Sequence, residues 1–180
     1  ALDGVVEVLG CRGGIIVLME IFGVNLHIRD VADRYAAAGY LAIAPALYDR
    51  SSAKDIELTY STEDIARGRA LREEFSWDDT VKDVEAAMNA LRAEGLRAGT
   101  VGFCWGGSMS FLAAMRLPLG CAVVDYGAQI LPYVSEKERC PLLMHFGRKD
   151  ASIPPSDVEA IQREHPEALV YQYEADHGFN

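Results

Sequence analysis

Gly99-Thr100-Val101-Gly102-Phe103-Cys104-Trp105-Gly106-Gly107, running on into Ser108-Met109-Ser110-Phe111-Leu112-Ala113-Ala114-Met115, is the stretch on which the reading of this chain turns. Its first residues are short, apolar and β-branched enough to end a buried strand, and its last predict a helix with a mostly buried face. Between them, a cysteine stands with glycines two positions before and two after it. Glycine at both places removes the side chains that would collide where strand and helix cross. This is the G-x-S-x-G elbow with cysteine in place of serine, a sharp turn that exposes its central residue at the top of a sheet. The sulfur also falls at a helix N-terminus, where amide N–H groups and the helix dipole favour a thiolate. A core cysteine beside unrelated glycines would give the same letters, so the partners downstream decide.

Two further segments supply those partners. Pro141 to Gly147 predicts a buried strand with Arg148-Lys149-Asp150 at its C-terminal end, and Ala168 to Tyr173 predicts another, followed by Glu174-Ala175-Asp176-His177-Gly178. Nucleophile, acid and histidine therefore follow in that order, each just past a strand, at the edge where open α/β sheets place ligands. A free thiol is only a few per cent ionised at neutral pH, so Cys104 needs an activating partner. His177 can take up and return a proton near neutral pH. Asp150 would fix the imidazole tautomer and stabilise the imidazolium. His27, His145 and His165 have no such setting: His145 lies within a strand run, and His165 precedes Pro166 at a helix end.

Gly14-Ile15-Ile16-Val17-Leu18-Met19 is an apolar run suited to a central parallel strand, which lands Glu20 at its C-terminal end. The loop it opens is placed to give one oxyanion-hole amide, at Ile21, with the second from Trp105 after the nucleophile. With Met19-Glu20-Ile21-Phe22-Gly23-Val24-Asn25, Ala44-Pro45-Ala46-Leu47-Tyr48, Val101 to Gly107, Phe146-Gly147-Arg148-Lys149-Asp150 and Ala175-Asp176-His177-Gly178-Phe179, the chain resembles the dienelactone hydrolase family of cysteine α/β-hydrolases. The resemblance implies an α/β-hydrolase fold, with Cys104 as nucleophile, His177 as general base and Asp150 as its orienting acid. It also implies that Glu20 holds the resting thiol and helps activate it when substrate arrives; a glutamate that merely pairs with an arginine is the alternative. The reaction implied is hydrolysis of an ester or enol lactone through a thioester acyl-enzyme, with no metal or organic cofactor. An enolate leaves readily enough for a thiolate to displace it. Two other readings stay open: a promiscuous carboxylesterase or thioesterase for neutral activated esters, and a non-catalytic, redox-responsive binding protein.

Between Asp49 and Trp77 runs a polar excursion without strand character, the kind of insertion over a sheet edge that often binds substrate. It carries Arg67, Arg69 and Arg72 at helical spacing. The family holds a substrate carboxylate with an arginine from this region, and bidentate guanidinium–carboxylate pairing explains the choice. Arg69 is the favoured candidate; an exposed helix face making i,i+4 pairs is the alternative. Phe22 and Tyr126 are expected to line the pocket, and Asp125 would repel an anion if it faced inward.

Composition sets the frame. At 180 residues, half of them apolar, a single domain spanning 1–180 with one core is expected. A net charge of −10 disfavours nucleic acid and anionic membranes as partners, without excluding a small anionic substrate in a locally positive pocket. No apolar run approaches the ~20 residues that span a bilayer, and no signal peptide opens the chain. Cys11, Cys121 and Cys140 show neither C-x-x-C nor metal spacing and read as reduced thiols, which with Cys104 suggests the cytoplasm. Predicted strands fall at Val5–Leu9, Ile15–Met19, Tyr40–Ala44, Gly99–Phe103, Cys121–Tyr126, Leu142–Phe146 and Leu169–Tyr173. Predicted helices fall at Asp30–Ala38, Asp79–Glu94 and Pro155–Glu164. That alternation favours a mostly parallel central sheet flanked by helices. Against the family the chain looks trimmed at both ends, with no residue at the place of a second carboxylate-binding arginine after the histidine. A monomer, or a homodimer covering exposed sheet, is expected.

Overall fold

A computed structural model describes residues 12–51 and 53–180; the strand predicted at Val5–Leu9 lies outside them. Six strands form one sheet: β1 (Gly14–Leu18), β2 (Leu41–Ile43), β3 (Ala98–Phe103), β4 (Ala122–Asp125), β5 (Leu142–Gly147) and β6 (Leu169–Tyr173). Every pairing is parallel and the spatial order is β2-β1-β3-β4-β5-β6. The helices are α1 (Leu26–Ala37), α2 (Thr62–Arg72), α3 (Trp77–Ala93), α4 (Trp105–Arg116) and α5 (Pro155–Glu164).

Capping explains where two helices begin ahead of the sequence reading. Asn25 accepts from the Ile28 amide at 3.1 Å and starts α1 at Leu26 rather than Asp30. Ser76 accepts from the Asp79 amide at 3.1 Å and starts α3 at Trp77. Such caps satisfy first-turn N–H groups that have no intrahelical partner. The excursion after β2 contains no strand among its described residues; a short 3₁₀ turn at Leu47–Arg50 leads through a loop to α2.

At the centre of the sheet α4 lies across β3 and β4 and reaches β1. Every residue of β3 is buried, and so is every residue of α4 from Trp105 to Met115. A helix apolar all round belongs in a core. The two polar side chains there satisfy each other, Thr100 Oγ1 and Ser110 Oγ lying 2.8 Å apart. α3 packs on the same face, with Leu91 against Gly14, while α1 covers the opposite face over β1 and β2. At the far edge β6 leaves Leu169, Tyr171 and Tyr173 exposed. No helix among the described residues is long and apolar enough to cross a membrane.

Candidate active site

The elbow is built as the glycines require. Cys104 joins β3 to α4 at φ 55° and ψ −113°, a backbone conformation that costs a non-glycine residue on the order of 1–3 kcal/mol. A Cβ on Gly102 would lie 1.9 Å from the Gly106 carbonyl oxygen, and one on Gly106 would lie 2.2 Å from that of Leu18. Strand and helix can cross so closely only with hydrogen at both positions. The turn is pinned from β4, whose Asp125 carbonyl accepts from the Cys104 amide at 3.0 Å.

His177 and Asp150 meet as their order along the chain suggests. Asp150 follows β5, is 4% exposed, and accepts from His177 Nδ1 at 2.6 Å through one oxygen. Its other oxygen accepts from the Ser152 amide at 2.8 Å, which holds the carboxylate in place. With Nδ1 committed, Nε2 is the imidazole nitrogen left free for chemistry. The ring packs edge-on against Tyr126, with centroids 4.9 Å apart.

These groups open on one cleft of about 450 Å³, whose walls include Cys104, His177, Glu20, Ile21, Phe22 and Trp105. Glu20, 5% exposed at the end of β1, accepts from the Tyr60 hydroxyl at 3.0 Å. Burial pushes its carboxyl above the usual range, opposed by Tyr60 and by the nearby His27 and His177. The thiol does not show the ionisation that a helix N-terminus alone would favour. Burial, then the Glu20 charge, push Cys104 up to about 12, outweighing the Trp105 amide that pulls the other way. At rest the sulfur is a neutral thiol, because a helix N-terminus cannot offset both desolvation and an adjacent carboxylate.

The oxyanion candidates are held by one buried tyrosine. Tyr48 donates to the carbonyl oxygens of Ile21 at 3.0 Å and Gly68 at 3.3 Å, and its ring stacks on Trp105 with centroids 5.7 Å apart. Gly68 lets α2 rest on this loop, since a Cβ there would lie 2.4 Å from the Ile21 oxygen. The same contact turns Arg69 and Arg72 into the cleft wall together with Ile65, whereas Arg67 is exposed and stands away from it. Arg72, named above beside the favoured Arg69, also pairs with Glu73. Its spacing of three from Arg69, which places both on one helix face, is the signal that finds it.

Two expectations change. Tyr126 is fully buried and does not line the cleft: at φ 40° it turns behind His177, donates to Asn180 Oδ1, and packs its ring against Phe179. Asp125 faces a separate cavity on the α1 side of the sheet and so cannot repel a ligand in the cleft. Among the remaining histidines, His165 is a satisfied core residue between Glu138 and the Val134 carbonyl. His27 is less ordinary than its sequence setting suggests, lying beside Glu20 and accepting from Asn180 Nδ2 at 3.1 Å. No cluster suited to a metal ion occurs among the described residues.

Comparison with known proteins agrees with this fold. The profile of the dienelactone hydrolase family matches residues 10–180. A Synechocystis protein provisionally named a carboxymethylenebutenolidase is 36% identical over 184 residues, which cover 92% of this chain and 74% of that one. The carboxymethylenebutenolidase of Pseudomonas putida is 30% identical over 175 residues, with the same shares. A crystal structure provisionally titled a dienelactone hydrolase, from Klebsiella pneumoniae, superimposes with a TM-score of 0.79 at 31% identity, covering 94% of this chain and 77% of that one. With the parallel sheet, the cysteine elbow and the His177–Asp150 pair at its carboxyl edge, these likenesses show that the chain belongs to the dienelactone hydrolase family and is a carboxylic ester hydrolase of that kind.

Proposed function

We propose that Cys104, His177 and Asp150 work as a catalytic triad that hydrolyses an ester or enol lactone bearing a carboxylate, through a thioester on Cys104. The observation that carries the reading is the convergence of a strained cysteine elbow, a histidine tied to a buried aspartate, and Glu20 on one cleft. The substrate carboxylate pairs with Arg69 and Arg72, which sets the reactive carbonyl over the sulfur. Glu20 takes the thiol proton, and the thiolate attacks the carbonyl carbon. The oxyanion is held by the Ile21 and Trp105 amides. The C–O bond breaks with its electron pair on oxygen, the enolate, still joined to the acyl group where the substrate is a lactone, takes the proton from Glu20, and the acyl group stays on sulfur. His177 Nε2 then draws a proton from water, the hydroxide attacks the thioester, the C–S bond breaks, and the departing sulfur recovers that proton from His177.

A thiol that is neutral until substrate arrives fits this scheme, because an idle thiolate would be open to oxidation and alkylation. Cys104, Cys121 and Cys140 are all free, in keeping with a reducing, cytoplasmic setting. The test is steady-state hydrolysis of a dienelactone and of neutral p-nitrophenyl acetate, with Cys104→Ala as the blank. Dienelactone turnover that is preferred over the acetate and vanishes in Cys104→Ala supports the reading. Turnover of the acetate alone would leave a generalist esterase, and cysteine-independent rates would remove the triad.

A further inference from the structure

Tyr60 stands out as a polar group that the triad does not account for. The residue is 58% exposed, yet its hydroxyl reaches inward to Glu20 Oε2 at 3.0 Å, forty residues back along the chain. The ring edge packs on Phe22 with centroids 4.6 Å apart. Its backbone is clamped on both sides. The Thr59 amide donates to Asp64 Oδ2 at 2.7 Å, and Ser61 caps α2 by accepting from the Asp64 amide at 3.1 Å. A residue at a helix entrance, fixed before and after, thus holds one oxygen of a carboxylate in the cleft. Among the described residues, no hydrogen bond is made to the other oxygen, Oε1.

We propose that Tyr60 is a positioning residue for the thiol: by holding Glu20 Oε2 it keeps the carboxylate ionised and presents Oε1 to Cys104. The proposal rests on the reading of Glu20 as the group that takes the thiol proton. In that step the S–H bond breaks, its electron pair stays on sulfur, and the proton forms an O–H bond on Glu20. The Tyr60 hydroxyl keeps its own proton throughout, since burial and the facing Glu20 push it up to about 12. The tether also joins the thiol switch to α2, the helix that carries Arg69 and Arg72 into the cleft, so seating of substrate on that helix reaches Glu20 through Tyr60.

The sign of the pH effect follows from the groups around Glu20. His27 of α1 and His177 after β6 favour its charged form, as does the Tyr60 hydroxyl; burial opposes it. Cys104 at the elbow, Tyr126 after β4, Arg69 and Arg72 of α2, and Glu73 just past it complete the surroundings. None of them is changed by Tyr60→Phe, which removes the hydroxyl that donates to Glu20 and faces the Asn25 side chain, and keeps the ring contact with Phe22. Loss of that donor raises the Glu20 pKa, so the acid limb of kcat/KM moves to higher pH.

The experiment is kcat/KM for p-nitrophenyl acetate between pH 5 and 9 in the wild type, Tyr60→Phe, Glu20→Gln and the double variant. A shift of about one pH unit corresponds to a tenfold change in the ionised fraction on the acid side. Tyr60→Phe is expected to lose up to about tenfold at the foot of the acid limb and under threefold on its plateau, mostly in kcat, by that same relation. In the Glu20→Gln background the further loss should be under twofold, the sign of two residues acting through one another. An unmoved acid limb, or an equal loss in both backgrounds, overturns the proposal for Tyr60. If Glu20→Gln itself keeps full activity, the reading of Glu20 falls, and the proposal falls with it.

Discussion

Two cavities of similar size open on the sheet, one over the elbow at its carboxyl edge and one on the α1 side, and only the first gathers Cys104, His177 and Glu20. The cleft over Cys104 measures about 450 Å³, and the cavity on the α1 side, walled by Val31, Tyr35, Val101, Phe103, Leu143 and Asp125, about 550 Å³. A buried aspartate belongs to each: Asp150 after β5, 4% exposed, reaches the cleft only through His177, while Asp125 closing β4, 9% exposed, lines the other cavity itself. Asp150 accepts from His177 and from the Ser152 amide. Among the described residues no side-chain hydrogen bond or ion pair holds Asp125, and burial alone pushes its carboxyl up to about 7. Burial is common to both, and only a committed partner turns a buried carboxylate into part of a catalytic device.

The same substitution in the two cavities should therefore have opposite kinds of effect. Asp150→Asn replaces an acceptor of the His177 Nδ1 proton with a group that can donate, favouring the wrong tautomer; kcat should fall by about 10⁴-fold. A circular-dichroism melt run beside the kinetics should show the fold intact, and activity within tenfold of the wild type would remove Asp150 from the triad. Next in size is Gly102→Ala at the elbow, whose backbone lies between the two cavities. Its new Cβ would meet the Gly106 oxygen at 1.9 Å, backbone against backbone, so a stability loss of about 4 kcal/mol or more is expected. Denaturant unfolding checks it, and a loss under 1 kcal/mol would mean that strand and helix can part without cost.

Smaller effects separate binding from chemistry. Arg69→Ala combined with Arg72→Ala should raise KM for a carboxylate-bearing ester about tenfold, the worth of one partly exposed charge-assisted contact. KM for p-nitrophenyl acetate should stay put; an equal rise for both substrates would make the arginines structural. The smallest effect belongs to the second cavity. Asp125 has a folded-state pKa raised from 3.8 to about 7, so folding favours its protonated form. The resulting destabilisation is absent below the unfolded pKa, grows as pH rises, and is complete above the folded one. Asp125→Asn should thus stabilise the protein by about 1 kcal/mol at pH 8 and by nothing near pH 3.5, a conservative figure for a shift of this kind. Identical melting curves at pH 8 would show that the carboxylate has a partner after all.

The elbow was legible from the sequence because its cause is local. Gly102, Cys104 and Gly106 encode a crossing of strand and helix within five residues, and apolar periodicity on either side names the two elements. The placing of Asp150 and His177 after β5 and β6 was legible for the same reason, since a parallel sheet brings all its strand ends to one edge. Helix starts were harder to read, because Asn25 and Ser76 act through single side-chain bonds that no periodicity announces. Tyr126 misled because a residue at a strand end can point into the cleft or behind it, and its turn at φ 40° sends it behind His177.

What the sequence determined by itself is the order of the elements, the strained cysteine and the three residues at one edge of the sheet. What only the tertiary structure decided is the electrostatic state of that edge: a thiol kept neutral, Glu20 tied to Tyr60, Arg69 and Arg72 turned inward by the approach of α2 to Ile21, and Asp125 left on the other side of the sheet. The division has a physical reason. Strand, turn and helix are dictated by steric and periodic rules that act over a few neighbouring residues. Desolvation and charge depend on every group that folding packs around a site, however far apart those groups lie in the chain.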